Sequence, residues 1–359
     1  MVQISVIHPS DLGEPELDRW RKFQDADPEQ DNPFLSPEFV QTVGILRPYV
    51  RVAVIGDGSG IAGFFPFEKH RLGIGRPVAA GLTDLQGMVY AQGLDLDAGR
   101  LLRAAGLATW EFDHLSVAQP MFLPHHTARF PSPAIDIADG FDAYLAELRR
   151  RSPKTHKMTR YQRGRLGREV GEVMHVAESA DGAALRELLA WKSAQYRRTG
   201  RMDRFAHPWI VELVERLHAI RTDRFGGALS LLYAGDRLIA GHFGLRTGTR
   251  LCMWFPTYDV EYARYSPGMV MHLDIARDFA ETGLTLIDMG RGEKDYKEKL
   301  KTRDLEVAEG RVARPSPGAA VQWLARTPVR TLRNTVLANP ALRDRADRVL
   351  KTYARLRRT

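Results

Sequence analysis

The stretch from Trp254 to Leu300 reads WFPTYDVEYARYSPGMVMHLDIARDFAETGLTLIDMGRGEKDYKEKL, and it decides the fold. It begins as an apolar strand and passes through a polar, aromatic loop to a Ser-Pro-Gly turn. A long helix follows, then an apolar strand from Leu284 to Met289, then a loop of glycine and charged residues. This order brings a helix N-terminus and several polar side chains to one edge of a sheet, which is where α/β proteins bind ligands.

The helix in this stretch is predicted from its ends and its apolar spacing. Ser266 is a favourable N-cap, Pro267 suits the first helical turn, and Gly283 ends the helix. The helical spacing predicts a buried face made of Met269, Leu273, Ala276 and Ala280, widened by Val270, Ile275 and Phe279. The run LTLIDM that follows is short, apolar and β-prone, so it predicts a central strand.

Composition excludes several classes of protein. The chain has 359 residues and contains no window of about 18 apolar residues, so no membrane span is predicted. The first residues lack a basic-then-apolar signal pattern, and Cys252 is the only cysteine, so we expect a cytoplasmic protein without disulfides. Cys252 lies in a strand pattern and is interpreted as a core residue. His125 and His126 have no Cys or carboxylate partners at ligand spacing, so no metal site is expected.

Positive charge is concentrated in two blocks. The net charge is +8, and residues 311–359 contain 12 Lys or Arg against 2 Asp or Glu. The block from Arg149 to Arg168 has nine Lys or Arg and no acidic residue. Such blocks attract phosphates, nucleic acid or a membrane surface, or they are solvated helix faces. Spaced apolar residues after Pro317 predict that 311–359 forms an Arg-rich helical tail.

A faint internal repeat suggests two copies of one domain. Residues 52–67 read VAVIGDGSGIAGFFPF and residues 229–245 read LSLLYAGDRLIAGHFGL. Each is a strand, a Gly/Asp turn and a second strand, which is a hairpin signal. We therefore expect an N-terminal domain at 1–140 and a second at 141–310, each a mixed central sheet flanked by helices, with the tail at 311–359.

The order of elements resembles the GNAT acyltransferase superfamily. The closer resemblance is to its CelD-like branch, associated with cellulose and exopolysaccharide biosynthesis, and to the related FemAB-type aminoacyl transferases. The segments that carry it are PFLSPEFV (33–40), DLQG (84–87), SPKTHKMTRYQRGRLGREVG (152–171), LAWKSAQYRRTG (189–200), IAGHFGL (239–245), YDVEYARYSPGMVM (258–271) and IDMGRGEKDYKEKL (287–300).

The resemblance implies a mixed α+β or α/β fold of two tandem GNAT-like halves, with the active site in or beside the second. It also implies transfer of an acyl group from a thioester, usually acetyl-CoA, to an amine. In the FemAB-type branch the donor is an aminoacyl-tRNA instead. One departure weakens the expectation of ordinary CoA binding. GNAT proteins usually hold the CoA pyrophosphate with Arg/Gln-x-x-Gly-x-Gly/Ala at a helix start, whereas residues 264–270 read RYSPGMV.

Acyl transfer to an amine needs a proton acceptor, a polarised carbonyl and a proton for the leaving thiolate. Asp288, at a strand end, is a candidate to accept a proton or orient an ammonium group, or else it is a loop carboxylate. His242 is a candidate base, or else a core histidine. Tyr265 is a candidate proton donor to the thiolate, or else it only packs and hydrogen-bonds.

Binding residues are expected around the same loops. Contacts to the acyl-CoA donor are predicted for Ser266, Gly268, Met269, Arg160, Arg163 and Lys297. Lys297 could alternatively pair with a substrate carboxylate. The predicted acceptor site consists of Asp84, Gln86, Trp254, Tyr258 and Tyr296. Asp84 and Gln86 are expected to reach across from the first half, unless they only form a turn.

Three functions follow from these patterns. The first is a cytosolic N-acyltransferase that moves an acyl group from acyl-CoA to an amine of a sugar, amino acid or small metabolite. The second keeps the fold and uses aminoacyl-tRNA as donor, which the two basic blocks favour. The third is a non-catalytic binding module that contacts a membrane surface through the basic tail.

Overall fold

The computed structural model of the chain describes residues 2–292 and 294–315. Its strands are β1 (Gln3–Ile7), β2 (Val50–Asp57), β3 (Gly60–Lys69), β4 (Ile74–Arg76), β5 (Val89–Tyr90), β6 (Thr109–Ser116), β7 (His126–Asp136), β8 (Val173–Val176), β9 (Phe225–Ala234), β10 (Arg237–Thr247), β11 (Arg250–Tyr258), β12 (Leu286–Asp288) and β13 (Arg303–Ala313). Its α-helices are α1 (Glu14–Ala26), α2 (Pro37–Leu46), α3 (Ala98–Ala104), α4 (Phe141–Arg151), α5 (Pro153–Glu169), α6 (Gly182–Arg198), α7 (Pro208–Ala219), α8 (Pro267–Ala280) and α9 (Asp295–Leu300).

Two hairpins form the cores of the two halves, as the sequence repeat predicts. In the first, β2 and β3 pair antiparallel with Val54 opposite Phe64. In the second, β9 and β10 pair antiparallel with Leu231 opposite Gly241. Gly235 turns the second hairpin with φ of 57°, a conformation that glycine adopts at little cost. The short strand–turn–strand signals therefore gave the correct local structure.

The same order of elements follows each hairpin. In the first half, β4 is followed, after the two-residue strand β5, by α3 and then by β6, which pairs parallel to β4. In the second half, β11 is followed by α8 and then by β12, which pairs parallel to β11. The halves are therefore repeats of one topology, and the predicted mixed sheet flanked by helices is confirmed.

The sheets of the two halves join edge to edge into one. The strand order is β1-β2-β3-β4-β6-β13-β7-β12-β11-β10-β9-β8, with β5 beside β3. β7 of the first half pairs with β12 of the second, and β13 returns to lie between β6 and β7. The predicted boundary at residue 310 falls inside β13, and the division into domains stays a prediction.

Helix α8 packs with a face slightly different from the predicted one. Val270, Met271, Ile275 and Phe279 are fully buried, whereas Met269 and Leu273 are only partly buried. The buried face is therefore shifted so that it includes Val270 and Met271 and leaves Met269 partly exposed. Burying side chains such as Ile275 and Phe279 contributes about 1.5–3 kcal/mol each, which holds α8 against β10 and β11.

Two details of this stretch differ from expectation. Ser266 is at the N-cap of α8, as predicted, but its side chain makes no capping bond and its backbone is left-handed at φ 50° and ψ 50°. β12 spans only Leu286–Asp288, since it has just three partners on each neighbouring strand.

Two predictions are limited by what the structure covers. Residues 316–359 lie outside the described residues, so the helical tail stays a prediction. In the described part of the chain, no helix is long and apolar enough to cross a bilayer.

Candidate functional site

The site lies where two strands of the second half separate. β11 and β12 pair only at Arg250–Leu286, Leu251–Ile287 and Cys252–Asp288. Beyond these pairs β11 continues to Tyr258 beside β10 alone, while the chain after β12 turns away. The gap is a cavity of about 790 Å³, lined on one side by residues 253–258 and on the other by residues 289–292.

Eight of the residues predicted from sequence line this cavity. They come from the first-half turn, β11, the start of α8 and the segment around α9: Asp84, Trp254, Tyr258, Ser266, Gly268, Met269, Tyr296 and Lys297. The structure also brings in polar residues that the sequence reasoning missed. Most are on α6, the turn after it and α8: Lys192, Gln195, Tyr196, Thr199, Arg201, His272 and Lys294.

The start of α8 offers fewer free N–H groups than expected. The Ser266 carbonyl accepts hydrogen bonds from the N–H groups of Met269 (2.9 Å) and Val270 (3.4 Å). Pro267 has no N–H, so the first four helical residues offer at most the Gly268 N–H to a ligand. A side chain at Gly268 would project toward Tyr258, since a Cβ built there lies 3.8 Å from the Tyr258 Cδ1. Gly268 therefore marks open space beside β11.

Asp84 reaches the cavity from the first half, as predicted. It packs against the backbone of Gly290, where a Cβ would lie 2.8 Å from the Asp84 Oδ2 and where φ is 74°. Burial raises the pKa of Asp84 to about 6. The nearby Asp288 carboxylate adds to the rise, while His114 and Lys297 oppose it. A carboxylate that titrates near neutrality is suited to accept and release a proton.

Lys192 faces the same cavity from α6. Its ammonium donates a hydrogen bond to the Pro256 carbonyl (2.6 Å) on the separated part of β11 and lies 5.5 Å from the ring centre of Tyr196. Burial, together with the positive charges of Arg201, Lys294 and Lys297, lowers the pKa of Lys192 to about 8. Its segment, LAWKSAQYRRTG, is one of those that carry the family resemblance, but a helical pattern alone does not show that Lys192 faces the cavity.

His272, one turn into α8, is a second residue that the sequence reasoning missed. Its Nδ1 is 2.5 Å from the Gly268 carbonyl, and its ring meets the Tyr296 ring edge-on at 5.1 Å. Burial lowers the pKa of His272 to about 4, so the ring is neutral at pH 7. With Nδ1–H donating to Gly268, Nε2 is a buried acceptor with no partner among the described residues.

The three residues predicted to be catalytic lie outside the cavity wall. Asp288 is buried, and its Oδ1 accepts hydrogen bonds from the Ser132 hydroxyl (2.9 Å) and the Gly290 N–H (2.9 Å). It fixes the turn that Asp84 covers. Tyr265 is also buried, and its hydroxyl donates to Glu169 (2.8 Å).

The His242 side chain bonds to the backbone inside the sheet. A β-bulge between Phe243 and Gly244 leaves Trp254 out of register, and the His242 Nε2 accepts the Trp254 N–H (3.2 Å). Burial lowers the pKa of His242 well below its ordinary value, so the ring stays neutral and keeps this acceptor role. This geometry matches the alternative of a core histidine.

Four further residues that were predicted to contact a ligand either bond to other groups of the protein or lie away from the cavity. The Gln86 amide bonds to Asp113, donating to its carboxylate (2.6 Å) and accepting its N–H (3.0 Å). The Lys297 ammonium donates to the Gly290 carbonyl (2.7 Å). Arg163 pairs with Asp274, and Arg160 lines a separate shallow depression on α5.

The residues also bear on metal chemistry. Within residues 2–292 and 294–315, no three His, Cys, Asp or Glu side chains are grouped as a metal site requires. Cys252 is buried, and burial raises the pKa of its thiol well above the ordinary value, so the thiol is not a reactive one.

Comparison with known proteins places the second half in a family. Residues 153–298 match the acetyltransferase (GNAT) domain. No curated protein matches the sequence. Among solved structures, FemX superposes with a TM-score of 0.59 at 11% identity, covering 86% of this chain and 96% of that one.

Two other solved structures share the fold at similar distance. A conserved protein of unknown function from Bacteroides thetaiotaomicron has a TM-score of 0.53 at 12% identity, covering 87% of this chain and 99% of that one. The C-terminal domain of an Agrobacterium fabrum protein named as a lysylphosphatidylglycerol synthetase has a TM-score of 0.50 at 12% identity, covering 87% and 96%. At these identities the likeness shows the fold alone.

Proposed function

We propose that this acyltransferase moves an acyl group from acyl-CoA to an amine in the cavity between β11 and β12, which lies in the part of the chain, residues 153–298, that matches the acetyltransferase (GNAT) domain. The observation that carries the proposal is the separation of these strands beside Gly268, with Asp84 and Lys192 facing the opening. Acetyl-CoA is the donor that we propose, and the cytoplasm is the compartment.

The fit of a CoA thioester to this gap rests on shape more than on phosphate contacts. The cavity of about 790 Å³ is large enough for a cofactor-sized ligand. Met253, Tyr258 and Met269 give it apolar walls for an acyl chain, and the start of α8 supplies the positive end of a helix dipole. A thioester supplies an activated carbonyl with a good leaving group. The chain supplies the proton transfers.

Asp84 and Lys192 divide those transfers between them. An amine must lose a proton to become nucleophilic, and the Asp84 carboxylate, with its pKa near 6, is deprotonated at pH 7 and accepts it. Lys192, with its pKa near 8, is protonated at pH 7 and donates a proton to the departing sulfur. Asp84, Lys192 and Tyr196 line the same cavity, and the Lys192 ammonium lies 5.5 Å from the ring centre of Tyr196.

The test is release of free thiol from acetyl-CoA in the presence of a panel of amines. We expect amine-dependent thiol release with formation of an N-acetyl product. If acetyl-CoA at saturating concentration neither binds nor is consumed with any amine, the proposal of a CoA donor fails.

A second candidate donor is aminoacyl-tRNA, and α5 favours it. Lys154, Lys157, Arg160 and Arg168 are on its exposed side and have no acidic partner among the described residues, while Tyr161 is 57% exposed beside them. Basic side chains with an exposed aromatic ring suit RNA. Tight binding of bulk tRNA that weakens steeply with salt, together with no response to acetyl-CoA, would favour this donor. Membership of the CelD-like branch, with its link to polysaccharide biosynthesis, stays a proposal.

A further inference from the structure

Positive charge dominates the wall of the cavity. Among the described lining residues, five are Lys or Arg and Asp84 is the one carboxylate. The cations come from α6, the turn after it and the segment following β12: Lys192, Arg201, Arg291, Lys294 and Lys297. Like charges that line one cavity repel each other, so their arrangement needs a reason.

Two of these cations have structural partners. The Lys297 ammonium donates to the carbonyls of Gly290 (2.7 Å) and Arg291 (3.3 Å). The Arg291 guanidinium lies 3.3 Å from the ring centre of Phe130 and donates to the Asp113 carbonyl (2.8 Å). These contacts hold the loop after β12 in place and leave neither group free.

The other three are available to a ligand. The head groups of Arg201 and Lys294 are exposed at the rim, and no described residue forms a hydrogen bond or ion pair with either. Lys192 uses one N–H for the Pro256 carbonyl and keeps two. The three groups line the same cavity, Lys192 and Arg201 from α6 and the turn after it and Lys294 from the segment before α9. The charges of Arg201 and Lys294 both lower the pKa of Lys192, in agreement with this arrangement.

We propose that the acceptor is an anionic amine, a small molecule carrying a carboxylate or phosphate together with its amino group. The anion would be held by Arg201 and Lys294, Lys192 would keep its role toward the departing sulfur, and the ammonium group of the acceptor would face Asp84. This inference rests on the proposed function and names the class of acceptor for it. Asp84 and the two rim cations then bind opposite charges on the same molecule, which selects against amines without an anionic group and against diamines.

The alternative use of these cations is to bind the phosphates of the donor. The two uses predict different kinetics. Cations that bind the acceptor raise the KM for the acceptor when they are removed, whereas cations that bind the donor raise the KM for acetyl-CoA.

The experiment compares matched acceptors and a double variant. Native protein is assayed for acetyl transfer to glucosamine 6-phosphate against glucosamine, and to glycine against glycinamide. We expect at least one anionic member to be preferred by about tenfold or more in kcat/KM. In Arg201→Ala/Lys294→Ala the preference should shrink to about twofold, with the KM for acetyl-CoA unchanged. Lys22→Ala, which removes an exposed cation from α1, far from the residues given a role, is the control.

A binding measurement separates this inference from the proposed function. Calorimetry with the anionic amines in the absence of acetyl-CoA should show binding that the double variant loses and Lys22→Ala keeps. If the amines bind in this way and no acetyl transfer occurs, the proposed donor is wrong and the anion site stands. The inference would be overturned by equal kcat/KM values for each anionic amine and its matched amine without the anionic group. It would also be overturned by a double variant that raises only the KM for acetyl-CoA.

Discussion

The two halves of the molecule have the same topology, but the gap between their two equivalent parallel strands is open in one half and filled in the other. In the second half the gap between β11 and β12 is open, at about 790 Å³. In the first half the equivalent strands β4 and β6 also pair briefly, at Ile74–Thr109 and Gly75–Trp110. There the gap is filled, and a cavity of only about 10 Å³ is left beside Gln86.

The gap between β4 and β6 is filled by the turn of chain that contains Gln86. Gln86 bonds to β6 through its backbone, donating to the His114 carbonyl (2.8 Å) and accepting from the Ser116 N–H (3.1 Å). The helix starts differ as well. The Asp97 side chain caps α3 by accepting the Arg100 N–H (2.9 Å), while α8 has no side-chain cap. One copy is therefore closed, and the turn that closes it carries Asp84 into the open copy.

The largest effect is expected from filling the gap between β11 and β12 in the second half as well. Gly268→Phe should place a ring between α8 and Tyr258 and lower the affinity for acetyl-CoA by about 100-fold or more, because the ring occupies the space of the donor. Calorimetry measures the change. Gly182→Phe is the matched control, since it is also in the first turn of a helix and its nearest neighbour atom is also 3.8 Å away. Equal affinity in both variants would show that the gap does not hold the donor.

A second test removes the Asp84 carboxylate, which the first half contributes to the cavity. Asp84→Asn should lower kcat/KM by about 10²–10³-fold, since the proton acceptor is lost. Its thermal midpoint at pH 7 should be unchanged or raised: burial raises the pKa of Asp84, so the ionised carboxylate costs stability above its ordinary pKa, and the amide removes that cost. Thiol release and thermal unfolding measure the two effects. Asp139→Asn, at an exposed position, is the control, and loss of fold in Asp84→Asn would argue for a structural role instead.

The pH dependence of turnover distinguishes the two proton carriers. Asp84 must be deprotonated, so kcat/KM should rise as the pH passes through about 6. Lys192 must be protonated, so it should fall as the pH passes through about 8. Lys192→Met should lose the upper limb and about tenfold in rate at pH 7. An upper limb that persists in this variant would assign the proton donor elsewhere.

The smallest effect on activity is expected from a substitution at Gln86, in the turn that fills the gap of the first half. Gln86→Leu leaves the buried N–H groups of Asp113 and His114 without their acceptor, and we expect a loss of about 2–4 kcal/mol in the free energy of unfolding. The kcat/KM should stay within about threefold of native, because Gln86 is not on the cavity wall. Urea unfolding and thiol release measure both, with Gln3→Leu on the exposed edge as control. A large loss of activity without a loss of stability would contradict this division of roles.

Local patterns were enough to predict the hairpins, α8 and part of the cavity wall. Gly268, Tyr258 and Tyr296 follow directly from the strand–loop–helix order, and Asp84 from its polar turn. His242 could not be placed, because its direction depends on a bulge set by pairing with β11, a partner about ten residues away whose register the sequence does not show. Lys192 was missed for a similar reason: α6 approaches the cavity only through tertiary packing against β11.

The most direct measurement is the crystal structure of the protein with CoA bound. The account predicts density for the ligand between residues 253–258 and 289–292, with its thiol end toward Asp84 and Lys192. CoA bound along α5, or against the first half while the gap beside Gly268 stays empty, would contradict it.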